Sequence, residues 1–128
     1  MLNYATLKPG ELINFKEGVG STYDLLKKEI QGTLALTSIE ELDVWYDDGF
    51  LLKEEPPMPS LIIKNTPNPS ITDWDVVICG NIMFASSNED GDTISLTEEA
   101  TKILSKFKLA LLGTNPVWVY HNYEVKQS

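Results

Sequence analysis

Trp74-Asp75-Val76-Val77-Ile78-Cys79-Gly80-Asn81-Ile82-Met83-Phe84-Ala85 is the stretch around which the rest of the chain has to fold. From Val76 to Ala85 it is the longest nearly apolar run in the sequence, and its β-branched residues and Phe84 favour an extended backbone. It reads as a central strand, with Gly80 marking a bend or a close backbone approach. Gly80 and Asn81 also break the run, and it falls well short of the ~20 apolar residues that cross a bilayer. Cys79 is the single cysteine, so it has no partner for an internal disulfide. In these apolar surroundings it is expected to act as a small buried hydrophobe.

Towards the C-terminus, Ser86 to Asp92 is polar and reads as a loop. Ser95 or Thr97 then caps a helix with Glu98 and Glu99 in its first turn, where acidic side chains meet the positive end of the helix dipole. Ala100, Ile103, Leu104, Phe107 and Leu111 share one helical face, and Gly113 is the expected stop. Val117 to Val125 alternates Val117, Val119 and Val125 against Trp118, Tyr120 and Glu124, the pattern of a final strand.

Towards the N-terminus, Leu2 to Leu7 and Leu12 to Phe15 read as extended pieces around the turn Lys8-Pro9-Gly10-Glu11. Ser21 or Thr22 caps a helix carrying Asp24 in its first turn, with Leu26 and Ile30 on one face and Gly32 as its end. Thr33 to Leu36 and Leu42 to Tyr46 are expected strands, and Asp47-Asp48-Gly49 before Phe50-Leu51-Leu52 carries the aspartate-glycine signal of a tight hairpin. Pro56, Pro57 and Pro59 deny Glu54 to Ser60 the donors of a central strand; a short apolar piece, Leu61 to Ile63, precedes Pro67 and Pro69. No repeat is present. The order of elements gives a single α+β domain over residues 1–128, a mixed or mainly antiparallel sheet packed against two helices, with proline-rich loops at 54–60 and 65–70.

The charge balance excludes several functions. Nineteen acidic residues face ten basic ones for a net charge of −9, and every basic residue is lysine. Without arginine the chain lacks the fork that grips phosphate pairs and base edges. Between Glu40 and Glu99 fourteen carboxylates stand against Lys53 and Lys64, a local balance of −12. This middle repels nucleic acid and anionic membranes, so direct nucleic-acid binding is not expected and a partner steered by the field is basic. An acidic surface that serves solubility alone is the competing reading. The first ten residues show no basic region followed by an apolar run, so the expected location is cytoplasmic, with no membrane association.

Candidate chemistry is thin. Gly18-Val19-Gly20-Ser21-Thr22 precedes a helix, but Gly20 stands where a phosphate-binding loop needs lysine, and the dinucleotide fingerprint lacks its third glycine. Asn88-Glu89-Asp90-Gly91-Asp92 resembles a calcium loop until its register is set on Gly91, which puts Thr97 where the bidentate glutamate belongs. His121 and Cys79 are single residues of their kinds, so no multi-ligand zinc site forms within one chain, and their pairing has no motif behind it. Ser21, Ser86 and Ser95 lack a nucleophile elbow. Asp73 with Asp75, and Glu54 with Glu55, are carboxylate pairs expected to be solvent-exposed. Tyr23, Trp45, Tyr46 and Trp118 lack the interleaved cations that base stacking requires. No cofactor is expected.

Gly32-Thr33-Leu34-Ala35-Leu36 and Leu42-Asp43-Val44-Trp45-Tyr46-Asp47-Asp48-Gly49-Phe50-Leu51-Leu52-Lys53 resemble the strand and hairpin region of the uncharacterised family DUF3846. Asp75 to Ala85, Asp90-Gly91-Asp92 and Ser95-Leu96-Thr97-Glu98-Glu99 are similar to its glycine-containing strand, acidic loop and capped helix. The resemblance covers most of Gly10 to Leu112 and implies a small protein of bacteria, phages or mobile elements, with no catalytic residue to carry across. The proline-rich interval from Glu54 to Pro69 and the aromatic tail from Trp118 depart from that pattern. The functional expectation is a non-enzymatic interaction or accessory module acting on a basic protein partner, with a DNA-mimicking inhibitor as a subset. The alternatives are a self-associating structural or accessory oligomer, and a small enzyme. The candidate partner-binding residues are Trp45, Asp47, Asp48, Glu54, Glu55, Glu89, Asp90 and Trp118.

Overall fold

The computed structural model describes residues 1–49 and 58–123. Its elements run β1 (Leu2–Leu7), β2 (Asn14–Gly18), α1 (Thr22–Ile30), β3 (Leu34–Ile39), β4 (Leu42–Asp47), β5 (Pro59–Lys64), β6 (Val76–Cys79), β7 (Ile82–Ser87), β8 (Thr93–Ile94), α2 (Glu98–Ser105), β9 (Lys108–Leu112) and β10 (Asn115–His121). Strands outnumber helices, and they form two sheets rather than the single sheet expected. The central sheet is antiparallel in the order β2-β1-β7-β4-β3, with β8 paired to the end of β7. The second sheet has the order β6-β5-β10-β9 and is mixed, because β10 runs parallel to β5.

The run from Val76 to Ala85 divides between the two sheets, which corrects the expectation of one central strand. Val76–Cys79 lies in the second sheet and Ile82–Ser87 in the central one. The crossing occurs at Gly80, whose φ of +77° lies in the left-handed region that side chains resist. Its N–H donates to the Met58 carbonyl at 3.0 Å and its carbonyl accepts from Ser60 Oγ, so the crossing is tied to the start of β5.

The layers follow from which faces are apolar. On one side of the central sheet Tyr4 and Met83 pack beneath Leu25, Leu26 and Ile30 of α1, with Trp45 at the margin. On the other side Ala5, Leu7, Val44, Ile82 and Phe84 meet Ala100, Ile103 and Leu104 of α2 and Leu61, Ile63, Ile78 and Tyr120 of the second sheet. A strand covered on both faces has no solvent side, so Ile82-Met83-Phe84-Ala85 shows no polar alternation. Phe84, fully buried, stacks edge-on against Phe107 at 5.7 Å between centroids.

Ser21 caps α1, its hydroxyl accepting from Asp24 N, and Thr97 caps α2 by accepting from Ala100 N, as the sequence implies. The ends differ. Gln31, not Gly32, takes the left-handed conformation after α1. Gly32 is needed for space instead, since the Asp47 carboxylate occupies the place of a Cβ there. The helix expected to reach Gly113 stops at Ser105, and Lys108–Leu112 pairs with β10 despite the helical propensity of its Leu and Ala. The two-residue turn Gly113-Thr114, with φ +66° at Gly113, suits a hairpin that opens on glycine. The alternation along β10 is present, with Trp118 and Tyr120 packed on the main core and Val117, also buried, on the opposite face with Val119. Val125 lies outside the described residues.

Two further expectations change. Leu61 to Ile63 belongs to a six-residue inner strand of the second sheet that tolerates Pro59 because proline stands first in it. The hairpin proposed at Asp48-Gly49 would need an open edge on β4, but β3 and β7 occupy both. Gly49 lies outside the left-handed region, and Phe50 to Leu52 lie outside the described residues.

Replacing Gly80 with Ala tests the crossing. Nothing lies within 4 Å of the added Cβ, so the effect isolates the backbone. Positive φ at a non-glycine residue costs about 1 kcal/mol, and the urea midpoint is expected to fall accordingly with an unchanged slope. An unaltered midpoint would show that Gly80 is not held in this conformation.

Candidate functional site

The acidic residues are gathered by topology. β4 begins at Leu42 where β7 ends, since Asp43 lies opposite Ala85, so the β3–β4 turn and the β7–β8 turn emerge at the same end of the central sheet. The start of α2 is drawn to that end as well. Thr97 N donates to the buried Ser86 Oγ at 3.1 Å, Leu96 N to Asn3 O at 2.9 Å, and Asn3 N to Ser95 Oγ at 2.8 Å. Glu40, Glu41, Glu89, Asp90, Asp92, Glu98 and Glu99 are all exposed there. No lysine occurs from Asn65 to Thr101 or from Thr33 to Leu52.

The geometry of these turns is fixed by neutral groups, leaving the carboxylates to solvent. Asn88 Oδ1 accepts from Asp90 N and Asp92 N, each at 3.0 Å, and Gly91 N closes the turn on Asn88 O. The apparent calcium loop is therefore an asparagine-centred turn. Glu40 takes φ +51°, an uncommon conformation for a residue with a side chain. Glu98 meets Lys102 at 3.7 Å, an exposed pair worth well under about 1 kcal/mol.

An apolar flank runs from this end along β2 and α2, with Phe15 nearer to the carboxylates and Leu12 towards the opposite end of the central sheet, since Asn14 pairs with Thr6 and Leu7 with Ile82. Two shallow hollows of about 390 and 470 Å³ share Phe15 and Thr101 in their linings; Leu96 lines the first, and Leu12, Leu104 and Trp118 line the second. Leu12 is 71% exposed and Phe15 59%. Sequence reasoning passed over both. Phe15 alternates with the polar Asn14 and Lys16 in a strand, which was the available signal of an aromatic on a separate face.

The eight candidate partner residues do not form one surface. Glu89 and Asp90 lie at the acidic end and Asp48 is exposed after β4. Glu54 and Glu55 fall outside the described residues. Asp47 is buried; its Oδ1 accepts from Thr33 N at 3.0 Å and Gly49 N at 2.8 Å, which joins the end of α1 to β4. Trp45 is half-buried beside the cluster under α1. Trp118 is half-buried against the main core and donates to Glu11 O at 3.1 Å. Trp45 and Trp118 thus serve packing, and Phe15 is the exposed aromatic nearer to the acidic end.

Two buried polar groupings were also unanticipated. Asp75, expected at the surface with Asp73, has a fully buried side chain, while Asp73 is exposed. Its carboxylate accepts from Lys64 Nζ at 2.6 Å, Asn65 N at 2.7 Å and Thr72 N at 2.9 Å, and Lys64 also donates to Ser70 O at 2.8 Å. The proline-containing connection after β5 is folded around this one group. The Lys64 hydrogen bond holds the Asp75 carboxyl far below the usual range, against the upward push of burial and with help from the two backbone N–H groups. Under α1, Glu29 accepts from Tyr4 Oη at 2.7 Å and Lys16 Nζ at 3.1 Å. Burial alone would raise its pKa, but the Tyr4 and Lys16 hydrogen bonds leave it lowered, and burial with the same contact pushes Tyr4 up to about 12.

Cys79 and His121 are apart. Cys79 lies opposite Pro59 and His121 opposite Lys64, five residues along β5, about 16 Å. Cys79 is buried, and desolvation pushes its thiol up, away from the reactive thiolate. Among the described residues no cluster of three His, Cys, Asp or Glu is placed to hold a metal ion, and no helix is long and apolar enough to cross a membrane.

A family model described as a domain of unknown function, DUF3846, matches residues 5–108 of the 128. The chain belongs to the DUF3846 family. The match takes in both helices, the crossing at Gly80 and the whole acidic end, and stops at the first residue of β9. Comparison with curated proteins and with solved structures gives no match.

Asp75 supplies a pH prediction. Its folded pKa is depressed, so the stability it confers is complete above about pH 4, the range of an unfolded aspartate, and is lost as pH falls below that. Replacing Asp75 with Asn leaves Lys64 buried without its counter-charge. The urea midpoint at neutral pH should fall, and the variant should lose less stability on acidification than wild type. Equal midpoints, or parallel acid limbs, would show that the pair does not hold this connection.

Proposed function

We propose that this protein is a non-enzymatic interaction module that captures a basic protein partner at the acidic end of its central sheet. The observation that carries the reading is the convergence of the β3–β4 turn, the β7–β8 turn and the first turn of α2, which sets seven exposed carboxylates at one end in lysine-free segments. Such a field attracts a cationic surface over about 8–10 Å, the screening distance near physiological salt. Phe15, which lines a hollow with Asn3 and Leu96 beside that end, offers the short-range apolar contact that charge alone does not give. Solubility explains a net negative charge, but it does not explain the placement of an exposed phenylalanine alongside the charged end. If the phage or mobile-element setting implied by the family applies, the partner is a host protein and the location cytoplasmic.

The test uses affinity capture from the host at low and physiological salt. Wild type is compared with a variant carrying Glu40→Gln, Glu41→Gln, Glu89→Gln, Asp90→Asn and Asp92→Asn, and with Phe15→Ala. For the captured partner, the amide variant should associate at least about tenfold more slowly at low salt, with a weaker salt dependence. Phe15→Ala should act mainly on dissociation. Identical association rates and salt responses would refute the proposal.

A further inference from the structure

The second sheet turns one face to the main core, through Leu61, Ile63, Ile78 and Tyr120, and neither helix covers its other face. That outer face is also apolar. Ile62 and Val117 are buried on it, and the pairing of β5, β10 and β9 puts Val119, Ala110 and Leu112 on the same side. The connection after β5 folds over this face. Pro67, Pro69 and Ile71 form a wall, and between wall and sheet lies a hollow of about 410 Å³. Ile71 is 46% exposed and Leu112 38%, so the apolar lining is open to solvent. The polar groups of the hollow gather at one end. Lys108 lies opposite Val119 and His121 opposite Lys64, so Lys108 and His121 are diagonal neighbours, their Cα atoms about 7–8 Å apart. Lys64 lines the same end, but its charge is spent on Asp75. Lys108 is exposed and has no ion pair among the described residues. Tyr123 Oη meets His121 Nδ1 at 3.1 Å, which steadies the imidazole and leaves Nε2 for another partner.

We infer that this hollow binds a small organic acid, with the carboxylate at Lys108 and His121 and the apolar body along Val119, Val117 and Ile62. Charge complementarity selects the anion. The chain carries −9, yet no carboxylate occurs from Ala100 to Tyr123, and among the described residues none lines the hollow. Asp75, bound to Lys64, has a fully buried side chain, and the exposed Asp73 of the same connection stays outside the lining. The shape selects a small molecule over a protein surface: a wall, an apolar floor and a few polar groups at one end, within the roughly 300–1,000 Å³ of small-molecule sites. A carboxylate placed there exchanges water for a lysine ammonium and an imidazole N–H, while its carbon chain displaces water from valine and isoleucine. The same anion is repelled by the acidic end of the central sheet, so the two sites take ligands of opposite charge and do not compete.

Octanoate is the probe, titrated below its micellar concentration and followed by backbone amide NMR shifts, with octanol and tetraglutamate as controls. Wild type should show saturable binding of octanoate, with shifts centred on β5, β9 and β10. Octanol, which lacks the charge, and tetraglutamate, which lacks the apolar body, should each bind at least about tenfold more weakly. Lys108→Gln, a change at an exposed position, should weaken octanoate at least about fivefold and leave octanol unchanged. No saturable binding, equal affinity for either control, an unaltered affinity in Lys108→Gln, or shifts centred on Phe15 would overturn the inference. So would shifts in the same strands that grow with protein concentration alone, since a second copy would then be the occupant. The five-amide variant of the acidic end should bind octanoate no more weakly than wild type, which separates failure here from failure of the partner proposal.

Discussion

The fold depends on one backbone constraint, the passage of the chain through Gly80 from the second sheet into the central one. Cys79 and Ile82 are separated by only two residues, yet their strands belong to different layers. With its N–H on Met58 O and its carbonyl on Ser60, Gly80 brings the start of β5 to the start of β7. That fixes how the second sheet sits on the apolar face of the central sheet. It also fixes the direction of β7, which runs from the crossing to the end where its turn joins the β3–β4 turn and the cap of α2. The gathering of carboxylates is thus a consequence of topology and not of sequence proximity, since Glu40 and Glu98 are far apart along the chain.

Local signals were legible wherever they sufficed. Ser21 and Thr97 each satisfy an orphan N–H of a helix start, and the hairpin around Pro9-Gly10 needed nothing beyond its turn. Non-local partners were not legible. Lys108 to Leu112 has helical composition and becomes a strand because β10 returns beside it. Gly32 and Gly49 looked like helix and hairpin signals but instead surround the Asp47 carboxylate. Asp47, Trp45 and Trp118 were read as surface residues because residue type alone does not tell an exposed aromatic or carboxylate from one given a buried partner.

The same distinction applies to the charges. Of the acidic residues between Glu40 and Glu99, Asp43, Asp47 and Asp75 turn inwards, and Lys64 is bound to Asp75. Burying Asp75 and Lys64 separately would cost several kcal/mol each; paired, and with Ser70 O and two backbone N–H groups completing their hydrogen bonds, they organise a connection that has little apolar content. What remains on the surface is more localised than the sequence implied. The like charges at the acidic end oppose the folded state, and the structure meets that cost with neutral anchors: Asn88, Ser86, Ser95 and Thr97.

Residue-resolved native-state hydrogen exchange measures the central constraint directly. If the crossing holds the two layers as one unit, the amides of Gly80, Met83 and Phe84 exchange only through global unfolding, with the free energy that urea unfolding gives. A Gly80 amide that exchanges as fast as those of the exposed turn at Glu89 and Asp90, or β7 amides that open at lower free energy than global unfolding, would contradict the account.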